Sequence, residues 1–216
     1  MKRLIIICEG QTEQEFCNQL LAPYIQLTLH APLIKKSNGG IVGWKSLKKE
    51  IEHYLISERD TYITTLIDYY GITDKHEFPN WETGTMVVDK TERMNVLEEG
   101  MRLDIAEEYR HRFLPYIQLH EFEGLLFNDI QVFYEQIPQE ELIGEEELKA
   151  TFNEFPNPEM INNSPETSPS HRLERIIKGY NKVVYGCCLA EAIGLEKIRN
   201  KSPRFNQWIE NLETIR

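Results

Sequence analysis

The chain has 216 residues, with 24 Lys plus Arg against 35 Asp plus Glu and a formal net charge of −11. Hydrophobic residues make up 41% and charged residues 27%, the balance of a globular protein with a core of its own. The negative sum excludes a uniformly basic coat for gripping nucleic acid. Cys8, Cys17, Cys187 and Cys188 are too few for a disulfide scaffold and form no C-x-x-C pair, so they read as packed thiols of a reducing compartment. The apolar run Leu4 to Cys8 stops at Glu9, too short for a signal peptide, and no stretch approaches the ~20 apolar residues of a membrane helix. A cytoplasmic location is expected.

Leu4 to Cys8 is continuous and branched, as in a strand buried on both faces. A helix is expected over Glu13 to Tyr24, with Thr12 as its cap and Glu15 completing a capping box. Ala31 to Ile34 reads as a second strand, and Asn38-Gly39-Gly40 as a break. Leu47, Ile51, Tyr54 and Leu55 give helical spacing between Trp44 and Ser57. Tyr62 to Ile67 is a third strand, Tyr69 to Gly84 a long loop, Thr91 to Tyr109 a helix, and Phe113 to Leu119 a fourth strand with Pro115 near its start. Beyond Phe127, an acidic stretch to Phe155 precedes the Pro-, Asn- and Ser-rich segment Pro156 to Pro169, then a string of short helices from Ser170. Strands alternating with helices favour an α/β fold with a mostly parallel sheet. The expected division is an α/β core over residues 1–130 and a helical extension over 131–216 packed on it.

Charge is unevenly spread. Residues 1–119 carry 14 basic and 18 acidic side chains, residues 120–169 carry 1 and 12, and residues 170–216 carry 9 and 5. Acidity is thus concentrated in the middle, and the C-terminal segment is basic.

Three of the four expected strands run directly into acids: Glu9, Asp68, and the pair Glu121 and Glu123 after His120. In a parallel sheet all strand C-termini share one edge, where ligands bind. Acids gathered there repel unless a cation or a proton compensates, and a hard ion such as Mg²⁺ or Mn²⁺ prefers such oxygens. The plainer alternative is that each acid serves the N-terminus of the next helix.

The segment Leu4-Ile5-Ile6-Ile7-Cys8-Glu9-Gly10 resembles the first motif of Toprim domains, and Leu66-Ile67-Asp68-Tyr69-Tyr70-Gly71 resembles their strand ending in Asp-x-Asp. A closer resemblance is to an uncharacterised bacterial Toprim-like family, a domain of unknown function often encoded beside AAA-type ATPases. It runs through His120-Glu121-Phe122-Glu123-Gly124, Ser168 to Leu173, Tyr180-Asn181-Lys182 and the stretch from Gly194 to Trp208. The resemblance implies a Toprim-like, Rossmann-like four-stranded sheet, related to nucleases of the overcoming-lysogenisation-defect type. It implies Glu9 as general acid/base and Asp68 as a Mg²⁺ ligand. Tyr70 stands where the second aspartate would be and offers no carboxylate, leaving Glu121 or Glu123 to supply that charge; Asp74 is a poorer source on its loop.

His120 reads either as a catalytic ligand or proton carrier, or as a histidine bonded to backbone at a strand end. Arg172 begins a basic stripe, and Lys182, Arg199 and Arg204 lie in family-like motifs, so these four are the candidates for phosphate contact. The same stripe could instead pair with the acidic middle block or face solvent. Phe205 and Trp208 read as packing residues rather than base-stacking platforms. The expected function is a Mg²⁺-dependent nuclease on DNA or RNA, in phage defence with an ATPase partner. The alternatives are an inactive interaction subunit of an ATPase complex and, less favoured, a phosphatase or nucleotide-handling enzyme.

Overall fold

Branched apolar runs form the centre of the sheet because both of their faces can be buried. In the computed structural model, which describes residues 2–35, 37, 40–161, 164 and 166–215, β1 (Arg3–Cys8) lies between two parallel neighbours. These are β2 (Thr28–His30) and β3 (Thr61–Asp68), with Arg3 opposite Thr28 and Thr61, and Cys8 opposite Leu66. Two short strands, β4 (Phe113–Leu114) and β5 (Ile117–Gln118), both pair parallel with the far side of β3.

The sheet therefore has five strands rather than the expected four, because the run from Phe113 to Leu119 is interrupted. Proline cannot donate to the ladder, and across Pro115-Tyr116 the side chain of Thr65 takes over. Its hydroxyl accepts from Tyr116 N at 3.0 Å and donates to Tyr116 O at 2.8 Å. The second strand also lies upstream of its expected place. Ala31 to Ile34 still runs beside β1, through Cys8 N to Pro32 O at 2.9 Å and Ile34 N to Cys8 O at 3.0 Å, but only Leu33 forms a bridge. Of the expected break Asn38-Gly39-Gly40, Asn38 and Gly39 lie outside the described residues, as do Asn162, Asn163 and Pro165 of the segment Pro156 to Pro169.

The helix after β1, α1 (Gln11–Phe16), starts earlier than the cap assigned to Thr12 and continues as a π-helical turn, Cys17–Leu21. Gly10 is its N-cap, and Thr12 is buried instead, its methyl against Gly186. α2 spans Trp44–Ser57 as the spacing predicts. The expected loop Tyr69 to Gly84 contains the start of a short helix, α3 (Trp81–Met86). α4 (Lys90–Asp104) is capped by Asp89, which accepts from Glu92 N at 2.8 Å, and a 3-10 turn, Glu107–Arg112, replaces its expected continuation. A 3-10 turn over Phe122–Leu126 follows the sheet, then α5 (Ile130–Gln136), α6 (Glu145–Glu154), α7 (Pro169–Ile176), α8 (Lys182–Ile193), α9 (Leu195–Lys201) and α10 (Pro203–Glu213).

Side chains alternate across a strand, and β1 feeds two cores accordingly. Ile5 and Ile7 pack with Leu47 and Ile51 of α2 and with Met94 and Leu97 of α4. Leu4, Ile6 and Cys8 pack with Phe16, Phe122, Leu189, Phe205 and Trp208, so the C-terminal helices complete the second core. Helices thus flank both faces of a parallel α/β sheet. Among the described residues no helix is long and apolar enough to cross a membrane.

Candidate active site

The ends of β1 and β3 bring their acids together through backbone pairing. Glu9 follows β1 and its Oε2 accepts from Asp68 N, at the end of β3, at 3.0 Å. Asp68 Oδ1 accepts from Phe122 N at 2.9 Å, which holds the segment beyond β5 against the same edge. Glu121 is fixed by Ser170 at the start of α7, whose N–H and hydroxyl donate to its two oxygens at 2.9 and 3.0 Å. Glu123, in the 3-10 turn, is fully buried, and its Oε2 has no hydrogen-bond partner among the described residues.

A further acid joins this group, one that strand-end position does not select. Glu13 is 2% exposed on α1, and its Oε2 also lacks a partner among the described residues. Gly10 leaves room for it: a Cβ there would lie 2.8 Å from Glu13 Oε2. Its position between buried Thr12 and Phe16 is the signal that could have exposed it, since an acid inside a buried stripe needs a reason.

Among the described residues one cation stands among the acids. Lys182 Nζ lies 2.9 Å from Glu123 Oε1. It sits at the first position of α8, where Asn181 caps the helix by accepting from Val184 N at 3.0 Å. Burial works against the charge of Lys182, but Glu123, Asp68 and Glu13 outweigh it and hold the ammonium above the ordinary lysine range. A single positive charge does not neutralise the group. Burial, then Glu13 and Glu121, push Glu9 up to about 7 against the hydrogen bond from Asp68 N and the pull of Lys182. Burial pushes Glu123 to about 7 against Lys182, with Glu13 adding to the rise. Asp68 is raised well above its ordinary value by burial and then by Glu13. Tyr180, beside this group, is raised by burial and by Glu123, and its hydroxyl has no partner among the described residues.

The other expected residues lie elsewhere. His120 is 3% exposed and does not join the acids; its Nε2 is 3.0 Å from Lys90 Nζ. Burial, then Lys90 and Arg93, lower its pKa to about 3, so it is a neutral imidazole. Tyr70 donates its backbone N–H to His120 O at 2.9 Å, and Asp74 is in an exposed 3-10 turn. The arginines expected on phosphate are tied into the fold. Arg172 donates to Thr167 O at 2.8 Å and Thr151 Oγ1 at 3.0 Å. Arg199 holds Glu213 and Asn206 at 2.8 and 2.7 Å. Arg204 holds Glu98 at 2.6 Å and Asn95 at 3.0 Å, beside a cavity of about 380 Å³ whose lining includes none of the gathered carboxylates.

The donor chemistry fits a hard divalent ion: the group offers carboxylate oxygens, and two of its members, Glu13 and Glu123, carry buried oxygens without partners among the described residues. The arrangement as it stands is not a closed coordination shell, since no three His, Cys, Asp or Glu side chains among the described residues are set to hold a metal. The Lys182 ammonium takes one side of Glu123 instead. A model of a domain of unknown function (DUF4276) matches residues 8–213, and the chain belongs to that family. No curated protein and no solved structure matches the chain.

Proposed function

We propose that the chain is a Mg²⁺- or Mn²⁺-dependent phosphodiesterase of Toprim type that cleaves nucleic acid. The observation that carries this reading is the gathering of Glu9, Glu13, Asp68, Glu121 and Glu123 at one sheet edge with Lys182 as the cation among them. Burying several acids together costs stability unless a ligand compensates. Asp68 and Glu123 would hold the ion, with Glu121 already committed to Ser170 and Glu9 left to carry a proton. Such an ion supplies charge neutralisation at a phosphate and a more acidic bound water. Glu9, with its pKa near 7, is matched to proton transfer at neutral pH. Lys182 can exchange Glu123 for a phosphate oxygen, a charge-assisted contact of equal geometry. Action beside an AAA-type ATPase in phage defence, in the cytoplasm, belongs to the same proposal.

The test is cleavage of supercoiled plasmid and single-stranded DNA and RNA with Mg²⁺ or Mn²⁺. Glu9→Ala and Asp68→Ala are expected to lose about 100-fold or more in rate, the scale of a general-base contribution. No cleavage by the wild type, or cleavage by both variants at the wild-type rate, contradicts the reading. Two observations favour the second reading, an inactive interaction subunit of an ATPase complex: Tyr70 offers no carboxylate, and Lys182 already neutralises part of the group. That subunit would bind its ATPase partner unchanged after Asp68→Ala.

A further inference from the structure

The edge that carries the acids has an opposite face with the opposite charge. Successive side chains at the ends of β3 and β5 point to opposite sides. Asp68 turns toward the 3-10 turn after β5, its Oδ1 accepting from Phe122 N, and Tyr69 toward Arg93, whose Nη1 is 3.2 Å from Tyr69 Oη. Glu121 turns toward Ser170, and His120 toward Lys90. Lys90 and Arg93 therefore contact the chain neighbours of Glu121 and Asp68, on the α4 side.

Of these two cations, Lys90 lacks the partners that such a residue ordinarily has. Lys90 is half-buried, and among the described residues its side chain bonds only His120 Nε2, at 3.0 Å. An ammonium only donates, so the imidazole must accept at Nε2 and carry its proton on Nδ1. That Nδ1 is buried and without a partner among the described residues. Arg93 donates to Val87 O at 3.0 and 2.8 Å and to Tyr69. Among the described residues neither cation makes an ion pair, although Asp89 caps α4 and Glu92 lies in its first turn. His120 adopts a left-handed backbone, φ 66°, which a non-glycine residue takes up only where its surroundings impose it. The strained residue is the one that holds Lys90 in place.

We propose that Lys90, positioned by His120 and supported by Arg93, seats a backbone phosphate of the nucleic acid whose scissile group lies over the carboxylates. The proposal rests on the phosphodiesterase reading and deepens it: the substrate is a polyanion longer than one nucleotide, gripped on both faces of the strand ends. His120 is here a positioning residue, not a catalytic one.

The test is binding of a fluorescent single-stranded DNA of about 20 nucleotides to the full chain, by anisotropy over a salt series, with Ca²⁺ replacing Mg²⁺. Lys90→Ala is expected to weaken binding about tenfold at low salt and to flatten the salt dependence by about 0.7, the share of one phosphate contact on single strands. Lys90→Arg should retain both, and Lys149→Ala on α6 should change neither. Wild-type affinity and slope in Lys90→Ala overturn the proposal, as does absence of DNA binding by the wild type. Slower cleavage by Lys90→Ala with unchanged binding overturns it too. Glu9→Gln separates the two claims: Lys90-dependent binding without Glu9-dependent cleavage sinks the phosphodiesterase reading alone.

Discussion

The acids at the sheet edge and the arginines of the C-terminal helices are comparably buried, and they differ in what surrounds them. Arg172 and Arg204 are 8% and 9% exposed, and each meets carboxylate, hydroxyl or carbonyl acceptors at hydrogen-bond distance. Glu13 and Glu123 are 2% and 0% exposed, and each keeps a carboxylate oxygen without a partner among the described residues. Arg204 Nε has no partner among the described residues, but Glu98 at 2.6 Å balances its charge, whereas the gathered acids outnumber the one ammonium beside them; a buried charge with an opposite charge beside it costs less to hold than one without. The arginines are therefore read as structural braces, and the carboxylates as a site maintained for a ligand. The contrast predicts opposite behaviour on substitution.

The largest effect is expected from the brace that joins α10 to the edge strand. Arg204→Ala strands the partly buried Glu98 and releases Ile117 O. It should lower unfolding free energy in urea by about 3–5 kcal/mol, the cost of breaking a buried pair from one side. A loss below about 1 kcal/mol, the range of an exposed ion pair, would remove the distinction between brace and site.

The next effect has the other sign and depends on pH. Glu123 has its folded pKa raised from 4.5 to about 7 by burial, against the pull of Lys182. A carboxyl raised in this way binds more protons folded than unfolded between those values. Its contribution is complete below pH 4.5 and is lost as pH rises through 7. Glu123→Gln removes that loss. The stability of the metal-free variant relative to wild type should therefore improve by about 3 kcal/mol between about pH 4.5 and pH 8, at roughly 1.4 kcal/mol for each pH unit separating the folded and unfolded pKa values. The difference between variant and wild type cancels the opposite trend from His120, whose depressed pKa makes the fold gain stability as pH rises from about 3 to 6.5. A flat difference across this range would show that Glu123 is satisfied after all.

The two regions also differ in how legible they are in the sequence. β1, α2 and β3 are legible because local pattern alone decides them: continuous branched residues for buried strands, and a clean apolar stripe for Trp44–Ser57. The meeting of Glu9 with Asp68 is legible because parallel strands must end on one edge. Glu13 escapes strand-end reasoning because its role depends on α8 packing over α1, where Thr12 meets Gly186. β2 departs from its expected place because pairing with β1, rather than apolar content, selects Thr28–His30. The basic C-terminal segment discloses part of where its arginines go: the alternative in which its stripe pairs with the acidic middle block is what Arg175 and Glu147 do. Glu213 and Glu98 are unremarkable in sequence, and only the fold brings them to Arg199 and Arg204. His120 stands out by its strand-end position, but its partner Lys90 lies far upstream on another element.

The central claim is that the gathered carboxylates exist to take a divalent cation in place of protons. Calorimetric titration of Mn²⁺ into the full chain at about pH 7, in two buffers of different ionisation enthalpy, tests it directly. Because Glu9 and Glu123 hold protons up to about pH 7, binding should release protons and the measured heat should depend on the buffer. The heat should vanish in Asp68→Ala. Absence of binding by the wild type, or binding unchanged in Asp68→Ala, would contradict the account.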